Sequence, residues 1–171
     1  IGTTGFSASE LDELKSLGRQ VPCVLSPNMS VGVNLIYKVI GEMARTLVDE
    51  YDIEVIEAHH RLKKDAPSGT ALKIAEVLAH SVSRDLDQVG VYARKGLIGA
   101  RTKTEIGIQT IRAGDIVGDH TILFGGMGER IEVTHRASSR DTFALGALRA
   151  ARWIVRQPPG LYDMMDVLNL R

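Results

Sequence analysis

A single cysteine in 171 residues excludes a disulfide within the chain and argues against a cysteine-built metal site. Cys23 lies in the apolar run Val21-Pro22-Cys23-Val24-Leu25, where a small buried hydrophobe is expected rather than a nucleophile. An excess of one charge is also missing. Lys+Arg and Asp+Glu both number 21, so net charge gives no case for nucleic acid or an anionic membrane, and any anion site must be local. No apolar stretch reaches the roughly 18 residues of a membrane span, and no signal-peptide pattern is read. The expected setting is a reducing cytoplasm. What is present is ordinary for a globular chain: 44% hydrophobic and 25% charged residues, enough to bury a sizeable core.

The opening Ile1-Gly2-Thr3-Thr4-Gly5 reads as the end of a strand running into a glycine-rich turn, so a chain shortened at that end is expected. Ser7-Ala8-Ser9-Glu10 matches a capping box and predicts a helix to about Leu17, closed by Gly18. Val21 to Leu25 reads as a short buried strand. This rhythm fits a fragment of a doubly wound α/β sheet. Ser26 to Ser30 is a turn cluster, and an apolar pattern over much of a helical circumference runs from Val31 to about Asp49.

Asp52 to His59 reads as a strand with β-branched Ile53, Val55 and Ile56. A helix is expected from about Ser68 to Val82, with Leu72, Ala75, Leu78 and Ala79 as its inner stripe. Residues 83–104 are polar, glycine-punctuated and expected as a long loop. Three strand-like runs follow at Glu105–Ile111, His120–Phe124 and Arg130–His135. Turns at Gly114-Asp115 and Gly125-Gly126-Met127-Gly128 separate them, and an antiparallel meander is expected. Ser138 or Ser139 is expected to cap a last helix through about Arg156, stopped by Pro158-Pro159-Gly160.

The chemistry concentrates in Glu57-Ala58-His59-His60-Arg61-Leu62-Lys63-Lys64-Asp65-Ala66-Pro67-Ser68-Gly69-Thr70-Ala71. A helix start presents unpaired N–H groups and the positive end of the dipole. Gly69 permits close approach to the backbone, and the Ser68 and Thr70 hydroxyls add donors. That combination is an anion site, and Arg61, Lys63 and the histidines can converge on the same anion. Histidine is also the side chain best placed to move a proton near neutral pH. Adjacent strand residues point to opposite faces, so His59 and His60 can serve one ligand only if the strand ends at His59. A nearby anion would raise a histidine's pKa, whereas Arg61 and Lys63 would lower it. No cysteine or carboxylate stands at ligand spacing to complete a metal site. The competing plain reading is a solvated basic loop before a capped helix.

Taken whole, Glu57 to Ala71 resembles the signature of the dihydrodipicolinate reductase family. Gly2-Thr3-Thr4-Gly5-Phe6 resembles that family's turn beside the nicotinamide, and Pro27-Asn28-Met29-Ser30-Val31-Gly32-Val33-Asn34 resembles its hinge into the second domain. Arg112 to His120 and Thr134 to Arg140 also look like family segments. The resemblance implies NADH- or NADPH-dependent reduction of a cyclic imine dicarboxylate in lysine and diaminopimelate biosynthesis. His59 would supply the proton, with Lys63 as its catalytic partner. His60, Lys63, Ser68, Gly69 and Thr70 would hold the substrate carboxylates. Gly2, Thr3, Thr4, Pro27, Asn28, Met29, Arg140 and Phe143 would border the cofactor.

The implied fold is α/β. Residues 31–139 would form an α+β substrate domain, an open mixed sheet with helices on one face that also builds a homotetramer. Residues 1–30 and 140–171 would be remnants of a doubly wound dinucleotide-binding domain. The family's glycine-rich pyrophosphate loop has no match here, so weak cofactor binding and little or no activity are expected of this chain. Two other readings compete: a non-catalytic, self-assembling anion-binding domain, and a different oxidoreductase using the same helix start.

Overall fold

The computed structural model describes residues 1–3 and 5–171. Its elements in chain order are α1 (Ala8–Gly18), β1 (Pro22–Val24), α2 (Val31–Leu47), β2 (Asp52–His59), α3 (Gly69–Ser81), α4 (Leu86–Val89), β3 (Gly90–Val91), β4 (Ile106–Arg112), β5 (Gly118–Gly125), β6 (Arg130–Ala137), α5 (Asp141–Ile154), β7 (Gly160–Tyr162) and α6 (Met164–Val167). They divide into two compact units, Ile1–Leu35 with Ser139–Arg171, and Ile36–Ser138. Among the described residues no helix is long and apolar enough to cross a membrane.

In the first unit the capping box forms as its sequence predicts. Ser7 Oγ accepts from the Glu10 amide, and the Glu10 carboxylate accepts from the Ser7 amide at 2.6 Å. β1 pairs in parallel with β7, Pro22 opposite Gly160 and Val24 opposite Tyr162. Val24, Met29, Ala150, Met164 and Val167 form the core there, with Trp153 and Tyr162 packed edge-on at 5.1 Å. The last helix corrects the expected cap. It begins at Asp141 with Arg140 in the cap position and no side-chain cap bond; Ser139 Oγ instead accepts the Asp141 amide at 3.1 Å. Met29 approaches α5 so closely that a Cβ added at Gly146 would lie 1.8 Å from its carbonyl oxygen.

The second unit holds a mixed sheet in the order β3-β4-β2-β5-β6. The expected meander is only half right. β5 and β6 are antiparallel neighbours, but β4 pairs in parallel with β2, which inserts between β4 and β5. The cause is the crossover: β2-α3-β4 is a parallel unit joined by a helix, and the turn at Gly114-Asp115 carries the chain past β2 rather than back along β4. Residues 83–104 are not a plain loop either. They contain α4 and β3, each too short to show a hydrophobic period.

The pairing registers set out rows across one sheet face. Ile53 aligns with Ile106 and Phe124, and Val55 with Ile108 and Ile122; all six are 2% exposed or less. Each such side chain contributes about 1.5–3 kcal/mol of burial. α3 packs on β2 and β4, burying Ala71, Ile74, Ala75, Leu78 and Ala79. Ile74, not the half-buried Leu72, completes that stripe, at the i, i+3, i+4 spacing a helix face requires. Toward the C-terminal end of β2 the same rows turn polar. Glu57 aligns with Thr110 and His120, and His120 with His135; His59 aligns with Arg112.

Candidate active site

The polar rows sit where β2 stops. The strand ends at His59, the condition under which both histidines can serve one ligand. The chain beyond is pinned to the loop after β4. Ala113 N–H donates to the His59 carbonyl at 2.9 Å, and Arg61 N–H donates to the Gly114 carbonyl at 3.1 Å. The loop then returns to α3, where Ser68 caps the helix by accepting the Ala71 amide at 3.1 Å.

Beneath this loop lies a carboxylate with no solvent exposure. Glu57 accepts two bonds from the Arg112 guanidinium, at 2.8 and 2.9 Å, and one from the Ser68 amide at 3.0 Å. Its Oε2 also lies 2.6 Å from His59 Nδ1. Burial pushes the Glu57 pKa up, but Arg112, His59 and the Ser68 amide outweigh it and hold the group below its ordinary value. Burial lowers the His59 pKa; Glu57 pulls it back up, and Lys63 and Arg112 push it down, leaving a net decrease. His120 stands against His59, ring centroids 5.2 Å apart and planes at 74°, with its Nε2 3.2 Å from Ser68 Oγ. Burial takes His120 down to about 4, so it is neutral at physiological pH. His135 is lowered too, again by burial.

The expected substrate residues divide by surroundings. His60, Lys63, Gly69 and Thr70 are partly exposed along the loop and helix start. Lys63 Nζ pairs with Asp65 at 2.9 Å, and that contact lowers the Asp65 pKa. Ser68 is buried and already occupied, its amide on Glu57 and its hydroxyl on Ala71 and His120. Among the described residues no group of three His, Cys, Asp or Glu could hold a metal ion. The sequence reading had no role for Glu57, Arg112 or His120. The i, i+2 spacing of Glu57 and His59 signals a shared strand face, but Arg112 and His120 arrive from strands whose pairing sequence does not reveal.

In the first unit an open recess of about 470 Å³ is lined by Gly2, Pro27, Asn28, Met29, Phe143, Ala144 and Ala147. Its turn is rigidly held. The Asn28 carbonyl accepts from Ser26 Oγ at 2.9 Å and Asn34 Nδ2 at 2.8 Å, while Asn28 Oδ1 accepts the Ser30 amide at 2.8 Å. Five expected cofactor residues therefore line one recess. Thr3 and Arg140 are exposed and outside its lining, and Thr4 lies outside the described residues. The recess has mostly apolar walls and a volume within the usual range for small-ligand sites.

A family model described as "Dihydrodipicolinate reductase, C-terminus" matches residues 32–168, and one described as "Dihydrodipicolinate reductase, N-terminus" matches residues 1–29. The 4-hydroxy-tetrahydrodipicolinate reductases of Syntrophus aciditrophicus and Syntrophobacter fumaroxidans are each 64% identical to all of this chain. The chain spans 64% of the length of each. A solved structure described as dipicolinate-bound dihydrodipicolinate reductase from Paenisporosarcina sp. TG-14 aligns with a TM-score of 0.72 at 28% identity, over 97% of this chain and 62% of that one. With the larger family model matching well over half of its residues, the chain belongs to the dihydrodipicolinate reductase family.

Proposed function

We propose that these residues handle the substrate in an NAD(P)H-dependent reductase that converts the cyclic imine dicarboxylate derived from 4-hydroxy-tetrahydrodipicolinate to tetrahydrodipicolinate, in lysine and diaminopimelate biosynthesis. One observation carries the reading: an imidazole at the end of β2, wired to a buried carboxylate, stands in the same loop as Lys63 and the start of α3. A planar dicarboxylate needs cations and helix-start amides, and the reduced ring needs a proton. His60, Lys63, Gly69 and Thr70, with Ser68 holding the helix start, receive the two carboxylates. His59 supplies the proton and Lys63 stabilises charge beside it. A doubly negative ligand raises the His59 pKa against the burial that lowers it, so the site gains its proton as substrate arrives. The dipicolinate named in the related structure is a molecule of this class.

Bound NADH or NADPH supplies the hydride. Gly2, Thr3, Pro27, Asn28, Met29, Arg140 and Phe143 would border it, with Gly2, Pro27, Asn28, Met29 and Phe143 giving the recess as its wall. These 171 residues contain no match to the family's pyrophosphate loop, so by themselves they are expected to hold NAD(P)H weakly and turn over little. Fluorescence titration with NADH checks this, and tight binding would contradict it. Assembly as a homotetramer through the sheet of the second unit belongs to the same reading; β6 is largely exposed, and sedimentation equilibrium measures the mass.

The test of the substrate site is thermal denaturation with pyridine-2,6-dicarboxylate. The ligand raises Tm in the parent chain, and Lys63→Ala or Thr70→Ala abolishes the rise. A rise that survives both substitutions rejects the site; no rise in the parent chain favours a non-catalytic domain.

A further inference from the structure

We propose that Glu57 is a positioning residue: its carboxylate, clamped by Arg112 and the Ser68 amide, fixes His59 as the Nδ1–H tautomer and makes Nε2 the proton-carrying atom. This rests on the reading of His59 as the acid/base group.

The argument begins with a buried charge. A carboxylate with no solvent exposure is strongly penalised unless its lone pairs are met. Arg112 and Ser68 supply three N–H bonds, at 2.8, 2.9 and 3.0 Å, and keep Glu57 ionised. An ionised carboxylate can only accept. The 2.6 Å contact to His59 Nδ1 therefore requires the proton on Nδ1, which leaves the Nε2 lone pair bare in the neutral ring.

The clamp cannot swing away. The same guanidinium donates to the Ile111 carbonyl at 2.7 Å and the Asp65 carbonyl at 2.6 Å, tying β4 and the catalytic loop to one carboxylate. β5 gives the ring its room: a Cβ at Gly118 would stand 3.0 Å from His59 Nε2, so glycine keeps that edge clear. The charged and titratable groups facing the imidazole are Glu57 from β2, Arg112 from β4, His120 from β5 and Lys63 from the loop. Only Glu57 among them favours the protonated ring.

Two-dimensional 15N–1H NMR of histidine-labelled chain reads the tautomer directly. In the parent chain, neutral His59 shows a protonated Nδ1 and a bare Nε2. Glu57→Gln offers an N–H as well as an acceptor, so the other tautomer appears and the His59 midpoint falls. Arg112→Gln, which removes a repelling charge, moves the midpoint up. A role confined to stability would not send the two variants in opposite directions. In the reductase complete with its nucleotide-binding segment, Glu57→Gln lowers kcat about 100-fold and leaves KM for the dicarboxylate unchanged. A parent chain with the proton on Nε2 overturns the proposal, even if no variant folds. So does a folded Glu57→Gln with unaltered tautomer, midpoint and kcat. If His59→Gln keeps full kcat, the acid/base reading itself fails and this assignment falls with it. If His59→Gln is inactive while the tautomer is wrong, only the role of Glu57 is lost.

Discussion

Glu54 and Glu57 stand three residues apart on β2, both held by arginine, on opposite faces of the sheet. Glu54 meets Arg94 in a two-bond fork, at 2.8 and 2.9 Å, and Arg101 at 3.3 Å. Arg94 also reaches Glu105, and Arg101 also reaches Asp52. The ionic members of that cluster are arginines and carboxylates alone, and together they latch residues 94–105 to the sheet. The Glu57 cluster has one arginine fewer and an imidazole in its place. An arginine–carboxylate pair becomes a candidate site when one partner can change protonation. Position in a strand decides which kind a glutamate joins, because one face meets the charged 94–105 segment and the other meets α3 and the histidines.

The comparison can be broken most sharply by deletion. Glu57→Ala leaves Arg112 and His59 facing a buried gap and should cost about 3–5 kcal/mol in urea unfolding. Glu54→Ala, whose side chain is 20% exposed, should cost about 1.5–3 kcal/mol and leave pyridine-2,6-dicarboxylate binding intact. Equal losses would erase the distinction.

Acid should act on the histidine side first; the lowered Glu105 carboxylate of the other cluster gives up its contribution only further down in pH. The folded chain holds His120 at about 4, below its ordinary 6.5. Above 6.5 neither state binds the proton, so stability is at its full value. As pH falls from 6.5 toward 4 the unfolded chain takes up a proton that the folded chain refuses, and about 3 kcal/mol is lost. The lowered His59 and His135 add in the same direction. Urea midpoints against pH should show this slope, and His120→Gln should flatten it.

The glycines beneath the two clusters offer a finer cut. A Cβ at Gly107 would fall 1.9 Å from Glu54 Oε2, whereas one at Gly118 would sit 3.0 Å from His59 Nε2. Gly107→Ala should therefore break the latch and cost about 1–3 kcal/mol. Gly118→Ala should cost less in a thermal melt and instead shift the His59 NMR signals. The smallest effect belongs to Asp65→Asn. It frees Lys63 from a 59% exposed partner, should change stability by about 0–1 kcal/mol, and should tighten binding of the dicarboxylate in a calorimetric titration.

Much of this was legible in residue order. The capping box at Ser7, the helix start at Ser68 and the end of β2 at His59 are local features, and local chemistry shows in sequence. Glu57 to Thr70 was readable as an anion-handling loop for the same reason. Sheet order was not. β4 and β5 are consecutive strands, and nothing in their sequences says that β2 lies between them. Arg112 follows Glu57 by 55 residues, so its fork becomes visible only once that order is known. β7 and α6 escaped because Pro158-Pro159-Gly160 reads as a stop, and elements of three and four residues carry no period.

The insertion of β2 between later strands has a consequence for how the chain comes together. The β5–β6 hairpin joins neighbours in sequence and can close early, but β2 must wait for partners that lie more than 40 residues further along at every register position. The His59–His120 pair can therefore meet only late in assembly. Pulse-labelling hydrogen exchange should show amides of β5 and β6 protected before those of β2.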